Sequence, residues 1–472
     1  MSPPARPLPD GLLLAFYGDD FTGSSAAMEV TAFAGLPTVL FLDTPSPEQL
    51  ARFAGYRAIG IAGVARSQDP AWMDRHLPPA FQALRGLGAP VAQYKVCSTF
   101  DSAPRVGSIG RAIDLGAPIL GGAWHPLLVA AADMGRYQAF GNLFAAAAGT
   151  GYRIDRHPTM SRHPVTPMDE ADLRLHLAKQ TDKRVGLVDF VAAKRGEADA
   201  ALARELAGGA EIVSLDVLDE ETLAEAGRLI WEHGGDRVFA IGSQGLQQAL
   251  VAHWRAAGLL DAPRAARAAP AERIACVSGS CSPVTAAQIA FAERAGFRAI
   301  RLDAARAVDA AAWERELGRA GDRALAALGE GEDPLVFTAS GPDDPAVAEF
   351  RSAVEASGMA PAAANDRIGA GLGQVLDRVL RTAAVRRAVI SGGDTSGHAT
   401  LRLGVYALTA IAPLAPGAPL CRAYADASAE PGRAGDQSAL EGLELALKGG
   451  QVGAPDFFLA AKSGGPAPAG DG

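Results

Sequence analysis

The feature that most constrains the fold is a repeated alternation of short apolar runs with alanine-rich segments of helical periodicity. Apolar runs of strand length recur in the first half of the chain at 12–17, 38–42, 58–62, 91–96, 119–122, 185–190, 212–217 and 238–241. Amphipathic segments such as 24–34 and 219–232 lie between them. This alternation is typical of an α/β fold with a largely parallel sheet. The runs lack polar alternation, which indicates strands covered on both faces.

A change of composition near residues 255–272 divides the 472-residue chain in two. The segment 262–270 is rich in Ala, Pro and Arg and reads as a connector. New apolar runs follow it at 274–277, 299–302, 335–338, 389–390 and 408–411. We therefore predict two α/β domains with largely parallel sheets, 1–255 and 272–461, with an active site in the cleft between them. The polar, Gly- and Pro-rich tail 462–472 is predicted to be disordered.

Charge and hydropathy exclude several classes of protein. The formal net charge is −9 and no long basic run is present, which argues against nucleic acid as a partner. No uninterrupted apolar stretch reaches the roughly 18 residues of a membrane span, and the first residues lack the pattern of a secretory signal. The four cysteines match neither zinc-site spacing nor a disulfide framework. We expect a cytoplasmic protein, whose oligomeric state stays open with a homodimer as one alternative.

Two adjacent carboxylates, Asp19 and Asp20, follow the first predicted strand and open a helix. Open α/β sheets bind ligands at the carboxyl ends of their strands. The pair could cap the helix and complement its dipole. Alternatively, one carboxylate holds a sugar hydroxyl or accepts its proton, like the base of a kinase. Arg66 follows the third predicted strand, where it either binds a carboxylate in bidentate fashion or is solvated.

The fourth predicted strand carries Lys95 within a run that otherwise reads as buried. A buried lysine needs an anionic partner or a large shift of its pKa. Four polar side chains follow at the strand end, namely Ser98, Thr99, Asp101 and Ser102. Their density suits a polyhydroxylated, anionic small molecule, and the alternative is an ordinary Ser/Thr/Asp-rich loop.

The segment 156–168 contains two His-Pro pairs, at His157 and His163, and two arginines. These residues suggest a rigid loop near an acid group of a substrate. A structural, proline-rich lid is the alternative interpretation. A metal site is disfavoured because the spacing matches no standard ligand set.

Three glycine turns distinguish the second half of the chain. They are Ser278-Gly279-Ser280-Cys281-Ser282, Ser391-Gly392-Gly393-Asp394-Thr395, and the stretch 447–453 after a predicted helix, which contains Gly450. A glycine turn between a strand and a helix presents backbone N–H groups to a phosphate, and Asp394 could face a metal ion. The alternative is a set of ordinary capped turns. Acid/base groups in the first half and glycine turns in the second predict substrate on the first domain and nucleotide on the second.

Six motifs together resemble the four-carbon acid sugar kinase family. They are Gly18-Asp19-Asp20-Phe21-Thr22-Gly23 and the segments 95–102, 163–168, 277–282, 391–395 and 447–450, and they span nearly the whole chain in the order of the family. The resemblance implies a two-domain α/β kinase that uses ATP and Mg²⁺. It also implies phosphorylation of a terminal hydroxyl on a short sugar acid such as 3-oxo-tetronate, threonate or erythronate.

The resemblance and the clusters above give one predicted site. Its candidate catalytic residues are Asp20, Asp19 and Asp101, with Asp20 favoured as the base. The predicted substrate-binding residues are Arg66, Lys95, Ser98, Thr99, Ser102 and His163. The predicted ATP-binding residues are Ser278, Gly279, Ser280, Ser282, Gly392, Gly393, Asp394, Thr395 and Gly450, and Asp394 is also the predicted metal ligand.

The sequence departs from the family pattern in three places. The turn at Asp394 has Asp where some members have Glu, and Lys448-Gly449-Gly450 stands where Lys-Ser-Gly is expected. The doubled His-Pro segment 156–168 looks unlike that of the tetronate kinases, which motivates the hypothesis of a branched substrate such as 3-oxo-isoapionate. A non-catalytic sensor of sugar acid or nucleotide on the same fold is the alternative. A dehydrogenase is disfavoured because Asp-Asp-Phe-Thr-Gly replaces the Gly-x-Gly-x-x-Gly turn.

Overall fold

The structure, a computed structural model, describes residues 5–147, 149–262, 266–425 and 440–466, with the side chain of Asp394 outside the described part. The chain divides into two compact units, Met1–Arg264 and Ala265–Gly472. Each unit is an α/β assembly built on a mostly parallel sheet. The α/β class predicted from the alternation of apolar runs is confirmed.

The sheet of the first unit is parallel throughout the strands described. In chain order its strands are β1 (Leu14–Gly18), β2 (Thr38–Phe41), β3 (Ala58–Ala62), β4 (Val91–Lys95), β5 (His125–Leu128), β9 (Val185–Val188), β10 (Ile212–Leu215) and β11 (Val238–Gly242). Their order across the sheet is β2-β3-β1-β4-β11-β5-β10-β9. A separate antiparallel sheet consists of β6 (Arg136–Ala139), β7 (Asn142–Ala147) and β8 (Thr150–Arg153).

The helices of the first unit connect these strands. They are α1 (Phe21–Phe33), α2 (Pro47–Ala51), α3 (Pro70–Gly86), α4 (Ile109–Leu120), α5 (Leu173–Leu177), α6 (Phe190–Lys194), α7 (Ala198–Ala207), α8 (Glu220–His233) and α9 (Gln244–Ala256). All except α7 begin after an Asp or Ser whose side chain accepts a backbone N–H of the first turn. These caps explain why the Asp- and Ser-rich strand ends lead directly into helices.

The second unit has a parallel sheet with an antiparallel hairpin added at one side. Its strands are β12 (Ala275–Ser278), β13 (Phe297–Arg301), β14 (Asp333–Phe337), β15 (Arg387–Ser391), β16 (Val405–Ala415), β17 (Ala418–Ala425) and β18 (Glu444–Lys448), in the order β13-β14-β12-β15-β18-β17-β16. Its helices are α10 (Pro283–Arg294), α11 (Ala310–Gly329), α12 (Pro345–Ser357), α13 (Pro361–Thr382), α14 (Gly393–Arg402) and α15 (Phe457–Ser463).

Two sequence assignments near strand ends are wrong. The segment 119–122 is not a strand: α4 continues to Leu120, because Leu120 extends the buried stripe of Ile109, Ile113 and Gly116, and the strand begins only at His125. The stretch 447–453 begins with the last two residues of β18 and does not follow a helix. The residues Glu-Leu-Ala-Leu-Lys favour a helix by propensity, but their pairing with β15 and β17 overrides that preference.

The end of the chain is ordered further than the composition indicated. Helix α15 continues to Ser463, and Lys462 Nζ donates a hydrogen bond to Asp333 Oδ2 at 2.6 Å. The backbone of Gly464 accepts a hydrogen bond from Ala268 N. Residues 462–466 therefore pack on the second unit instead of belonging to a disordered tail, and 467–472 lie outside the described residues.

Candidate functional site

The sheet of the first unit brings its predicted site residues to one edge. Gly18 at the end of β1 lies in register with Ala62 of β3 and with Lys95 of β4, and Lys95 lies in register with Gly242 of β11. The loops that follow these strands therefore start side by side. The polar clusters at residues 19–20, 66 and 98–102 belong to these loops, as the parallel arrangement predicts.

Arg66 joins the two adjacent carboxylates. Its Nη2 donates to Asp19 Oδ1 at 3.1 Å and to Asp20 Oδ1 at 2.9 Å, and its Nε donates to Asp19 Oδ2 at 3.4 Å. Both oxygens of Asp19 are thus occupied, whereas Arg66 contacts Asp20 through one oxygen. The carboxylate of Asp19 is 4% exposed and that of Asp20 is 25% exposed, so Asp20 is the one that a ligand can reach.

Asp20 also caps α1. Its Oδ1 accepts a hydrogen bond from Gly23 N at 3.0 Å, and its carbonyl oxygen accepts one from Ser24 Oγ at 2.6 Å. The helix-cap interpretation is therefore correct in geometry, and it fixes the carboxylate at the strand end. For Asp19, burial raises the pKa to about 6, while Arg66 acts in the opposite direction.

Lys95 is buried at the end of β4, with 2% of its surface exposed. A β-carbon added to Gly23 would lie 1.9 Å from Lys95 Nζ and 2.3 Å from Asp20 Oδ1. The ammonium group therefore fills the space left by the glycine and lies next to the helix cap. Among the described residues, no acceptor lies within hydrogen-bond distance of Lys95 Nζ and no carboxylate within 4 Å.

The loop after β4 is held in an unusual backbone conformation. Phe100 has φ +56°, which non-glycine residues seldom adopt, and its side chain is fully buried. Thr99 Oγ1 donates to Asp101 Oδ1 at 2.5 Å, and Ser98, Thr99 and Asp101 are each less than a tenth exposed. Cys97 is part of this cluster, and burial raises the pKa of its thiol. Its position in the sequence, two residues after Lys95, is the signal that could have identified it as a site residue.

Ser102 is buried, and its hydroxyl group bonds to residues that lie far from it in the sequence. Its hydroxyl group bonds to His176 Nε2 at 2.9 Å, donates to Phe100 O at 3.1 Å, and accepts from Gln180 Nε2 at 2.9 Å. The buried hydroxyl thus ties α5 and the segment after it to the loop after β4. Its bonding partners support a structural function for Ser102.

The segment 156–168 forms two short 3₁₀ turns, Ile154–Arg156 and Met160–Arg162, each followed by a His-Pro pair. His157 Nδ1 accepts from the backbone N–H groups of Thr159 and Met160. His163 Nδ1 accepts from Thr166 N at 3.1 Å and contacts Thr166 Oγ1 at 3.0 Å. Because Nδ1 is the acceptor, the neutral ring of His163 carries its proton on Nε2. The repeated His-Pro motif is therefore a device that fixes the loop.

The sheet of the second unit brings the three glycine turns together. Ser278 at the end of β12 lies in register with Ser391 of β15, and Ser391 lies in register with Lys448 of β18. Gly279 N donates to Ser391 O at 3.0 Å, and Gly392 N donates to Lys448 O at 2.9 Å. The three turns therefore begin at adjacent backbone positions.

A network of hydroxyl groups joins the first and third turns. Thr285 Oγ1, on α10, bonds to Ser280 Oγ at 3.0 Å, to Ser282 Oγ at 3.1 Å and to Gly450 O at 3.0 Å. Ser282 caps α10 by accepting from Thr285 N, and its hydroxyl also bonds to Gly450 O. Ser278 Oγ accepts from Ser280 N at 3.4 Å. Thr285 is thus a central residue that the sequence analysis missed.

Glycine at three positions allows the turns to lie close together. A β-carbon on Gly279 would lie 2.3 Å from Thr395 Oγ1, and one on Gly392 would lie 2.9 Å from the same atom. A β-carbon on Gly450 would lie 2.6 Å from Ser280 Oγ. The close approach of Gly279, Gly392 and Thr395 explains why glycine is needed at these turns.

Helix α14 begins at this point without a side-chain cap. Its N-cap residue is Gly392, with φ +122°, and Gly393 is exposed with open space around its α-carbon. The first N–H groups of a helix have no intrahelical acceptor, and the helix dipole makes this end attractive to an anion. The arrangement fits a phosphate. The predicted metal ligation by the side chain of Asp394 lies outside the described part of the structure.

A cavity of about 260 Å³ opens beside these turns, within the second unit. Gly279 and Thr395 line one side of it. Most of the remaining wall is apolar, formed by Ala304, Ala339, Ala346, Val347, Phe350 and Ile368, with Thr338, Asn365 and Cys281 as the other lining residues. An apolar cavity with a few polar groups next to an uncapped helix end suits a nucleoside attached to phosphates.

Lys448 is a second buried lysine that the site prediction omitted. It is 1% exposed, and its Nζ donates to Ser391 Oγ at 3.0 Å and to Thr285 Oγ1 at 3.2 Å. Burial lowers the pKa of Lys448 to about 8. Like Lys95, it is a lysine at the end of an otherwise apolar run before a polar turn, and that pattern could have identified it.

Across the described residues, no group of three or more His, Cys, Asp or Glu side chains is arranged to hold a metal ion. No helix in the described ranges has the length and apolar character that a membrane crossing requires.

Comparison with known proteins gives a consistent assignment of the two units. A family model described as "Sugar-binding N-terminal domain" matches residues 14–250, and one described as "Nucleotide-binding C-terminal domain" matches residues 275–458. A 3-oxo-isoapionate kinase of Paraburkholderia graminis is 52% identical over 451 residues, which are 95% of this chain and 94% of the relative. A 3-oxo-tetronate kinase of Methylobacterium radiotolerans is 34% identical, with 95% and 98% of the two chains covered.

Solved structures share the fold. A protein of Salmonella typhimurium LT2 superposes with a TM-score of 0.75 at 24% identity, over 94% of this chain and 98% of that one. The Haemophilus influenzae protein HI1011 superposes with a TM-score of 0.71 at 25% identity, over 95% and 99% of the two chains.

Proposed function

The chain belongs to the four-carbon acid sugar kinase family, and from that premise we propose that it transfers the γ-phosphoryl group of ATP to a terminal hydroxyl of 3-oxo-isoapionate. Relatives over nearly the whole chain are sugar-acid kinases, so the enzyme is a sugar-acid kinase. We choose 3-oxo-isoapionate as the acid because the relative with 52% identity is a 3-oxo-isoapionate kinase. The 3-oxo-tetronate kinases are less similar, at near 30% identity.

The proposal rests on the burial and the hydrogen bonding of Lys95. Lys95 is a buried ammonium group close to the carboxylates of Asp19 and Asp20, but it has no hydrogen-bond acceptor among the described residues. A bound anion would supply that acceptor. The carboxylate of a sugar acid is such an anion, and it would reach Lys95 beside Gly23. Ser98 and Thr99, at the end of the same strand, supply polar groups for the hydroxyls of the acid.

Asp20 is the proposed general base. It is the more exposed of the two adjacent carboxylates, and Arg66 and Gly23 N hold one of its oxygens in place. The attacking hydroxyl gives its proton to Asp20 while its oxygen bonds to the γ-phosphorus. The bond from phosphorus to the bridging oxygen breaks, and ADP leaves with that electron pair. Asp19 also accepts hydrogen bonds from Arg66 and so helps to hold this guanidinium group against Asp20.

The turns of the second unit are the proposed ATP site. The uncapped start of α14, from Gly393 onwards, provides backbone N–H groups for phosphates. The turn from Ser278 to Ser282 lies beside it and adds the hydroxyl group of Ser280, because the N–H groups of Gly279, Ser280 and Ser282 already have acceptors within the turns. The adjoining cavity provides an apolar environment for the nucleoside. Mg²⁺ fits here as an ion that arrives with ATP, since Mg²⁺ is generally bound by one or two carboxylates together with substrate phosphates.

His163 is a proposed selector of the substrate. Its Nδ1 is engaged by Thr166, which leaves Nε2–H as a donor for a polar group of the acid. The segment 156–168 would then adapt the site to a branched acid, and the exposed Arg156 and Arg162 add positive charge along it.

A substrate panel tests the proposal. Purified protein is incubated with ATP, Mg²⁺ and either 3-oxo-isoapionate, 3-oxo-tetronate, threonate or erythronate, and ADP release is followed. The expected result is a kcat/KM for 3-oxo-isoapionate at least about tenfold above that for 3-oxo-tetronate, which corresponds to about 1.4 kcal/mol of transition-state binding. Preference for an unbranched tetronate would overturn the choice of substrate, and binding of all acids without turnover would support a sensor.

A further inference from the structure

Lys448 occupies a position that the kinase reaction as described above does not use. It is the last residue of β18, directly before Gly449 and Gly450, and it lies opposite Ser391 of β15. The side chain points into the unit, where its Nζ lies 5.8 Å from the centre of the Phe457 ring. The cation is therefore enclosed beneath the turns rather than exposed at the surface.

Its hydrogen bonds connect it to two of the turns. Nζ donates to Thr285 Oγ1, which in turn contacts Ser280 Oγ and Gly450 O, and it donates to Ser391 Oγ, directly before Gly392. An ammonium group has three donors and no acceptor. Thr285 Oγ1 must therefore accept from Lys448 and direct its own proton towards Ser280 or Gly450. The charge of Lys448 thus sets the direction of the hydroxyl network.

No carboxylate neutralises this charge among the residues that the structure describes. Burial is the cause of its lowered pKa, to about 8. Four charged side chains of the elements packed around β18 have other partners: Arg387 pairs with Glu444, Lys462 with Asp333, and His398 with Asp366, while Arg294 stacks on Phe291. The neighbouring elements also carry Arg402 on α14 and Arg422 on β17, which are cations like Lys448. A buried cation surrounded only by hydroxyls and an aromatic ring is most stable when an anion binds nearby.

We propose that Lys448 is a positioning residue for the phosphates of the nucleotide, acting through Thr285 and Ser391 to orient the turns at Ser280, Gly392 and Gly450 and supplying the positive charge behind them. The inference rests on the proposed function, since it names a residue of the same ATP site. A bound phosphate stabilises the ammonium form, so nucleotide binding and protonation of Lys448 are coupled.

The sign of this coupling follows from linkage. Below pH 8 the lysine is mostly protonated, and its positive charge attracts the phosphates of the nucleotide. As the pH rises through the pKa of the free protein, binding must recover the lost proton, so nucleotide affinity falls. The phosphates themselves are ionised throughout this range, since their last pKa is about 6. The thiol of Cys281, at the cavity, has a pKa raised above its ordinary value by burial and stays protonated until higher pH.

The test measures ADP binding by calorimetry, with the full-length protein and no sugar acid, from pH 7 to pH 9.5. For the wild type, affinity is expected to fall about tenfold across this range, which corresponds to a rise of about one unit in the pKa of Lys448 when ADP binds. Lys448→Met is expected to bind ADP at least about tenfold more weakly at pH 7 and to show no such fall. Its melting temperature is expected to equal or exceed that of the wild type, because a buried unpaired charge has been removed.

The matched control is Lys462→Met, which removes a lysine of the same unit that has a carboxylate partner in Asp333. This variant is expected to melt at a lower temperature and to bind ADP with the affinity and pH dependence of the wild type. If Lys448→Met instead behaves like the control, Lys448 is structural and the inference fails while the kinase assignment stands. If the wild type binds no ADP, the inference and the proposed ATP site both fall.

Discussion

Lys95 Nζ occupies the space that a side chain on Gly23 would fill, since a β-carbon there would lie only 1.9 Å from it. The two residues belong to different elements, the end of β4 and the first turn of α1. The same β-carbon would lie 2.3 Å from Asp20 Oδ1. One missing methyl group thus allows the cation and the proposed base to share a single pocket.

Gly23→Ala tests this relationship. Alanine suits a helix, so the fold is expected to persist, while Lys95 Nζ must move away from the site. The KM for the sugar acid is expected to rise about tenfold or more, the range for loss of one charged hydrogen bond, with ADP affinity unchanged. Steady-state kinetics and ADP calorimetry measure both. Gly86→Ala is the control, because a β-carbon there meets nothing within 4 Å. Equal KM values in both variants would contradict the assignment.

Asp20→Asn separates the base from the helix cap. Asparagine caps helices as well as aspartate does, so α1 is expected to remain intact. The kcat is expected to fall by about a hundredfold or more, the contribution of a general base, while ADP still binds. Single-turnover measurements with saturating sugar acid distinguish chemistry from binding. Near-normal turnover would show that another group takes the proton.

Ser102→Ala distinguishes a structural hydroxyl from a substrate ligand. The hydroxyl bonds to His176, Gln180 and the backbone of Phe100, so its loss leaves buried polar groups without a partner. The free energy of unfolding is expected to fall by about 1–2 kcal/mol, with KM for the sugar acid within threefold of the wild type. Urea unfolding and kinetics provide the two measurements, and Ser67→Ala, at an exposed site, is the control. A large rise in KM at wild-type stability would restore the substrate role.

His176 is expected to make a destabilising contribution to the first unit in acid. Burial lowers the pKa of His176 to about 4, below its value of 6.5 in an unfolded chain. The unfolded state therefore binds the proton first, and this group alone costs about 3 kcal/mol of stability as the pH falls from about 6.5 to about 4. Asp19 contributes with the opposite sign, because its raised pKa of about 6 makes the folded state bind that proton first. Urea unfolding at several pH values measures the slope. The difference in unfolding free energy between the wild type and His176→Gln is expected to change by about 3 kcal/mol over this pH range. The difference between the wild type and His76→Gln, at an exposed position, is expected to stay constant.

Gly392→Ala tests the phosphate turn. A side chain at φ +122° is strained, and its β-carbon would approach Thr395 Oγ1 at 2.9 Å and Ser280 N at 3.5 Å. ADP affinity is expected to fall about tenfold or more with the turn displaced. Gly296→Ala is the matched control: its φ is +92°, so the backbone strain of about 1–2 kcal/mol is similar, but nothing lies within 4 Å. Equal losses of affinity in the two variants would show that strain alone is responsible.

The sequence was sufficient to predict the parallel strands and the polar residues at their ends. Short apolar runs identify strands such as β1 and β4 because both faces of the sheet are covered. Because the strands are parallel, Asp19 and Lys95 lie at the carboxyl ends of two neighbouring strands, β1 and β4. The strand β18 could not be predicted in this way, since Glu444–Lys448 favours a helix locally and becomes a strand only through its neighbours.

The small sheet of β6, β7 and β8 was missed for a related reason. Its first turn is made by Phe140 and Gly141, both at positive φ, and Phe140 is not a residue that marks such a turn. The backbone N–H groups of both residues donate to the carboxylate of Asp216. The signal for this turn therefore lies about 75 positions later in the chain, where local reading does not find it.

That distant carboxylate sets an order of events during synthesis. Residues 136–153 leave the ribosome well before Asp216, which follows β10, so the Phe140 turn has no acceptor while the chain is still emerging. At roughly 5–20 residues per second the delay is several seconds. The small sheet is consequently a late-forming element, and a chain truncated before residue 216 would retain its strands in sequence but lack the anchor that closes the hairpin.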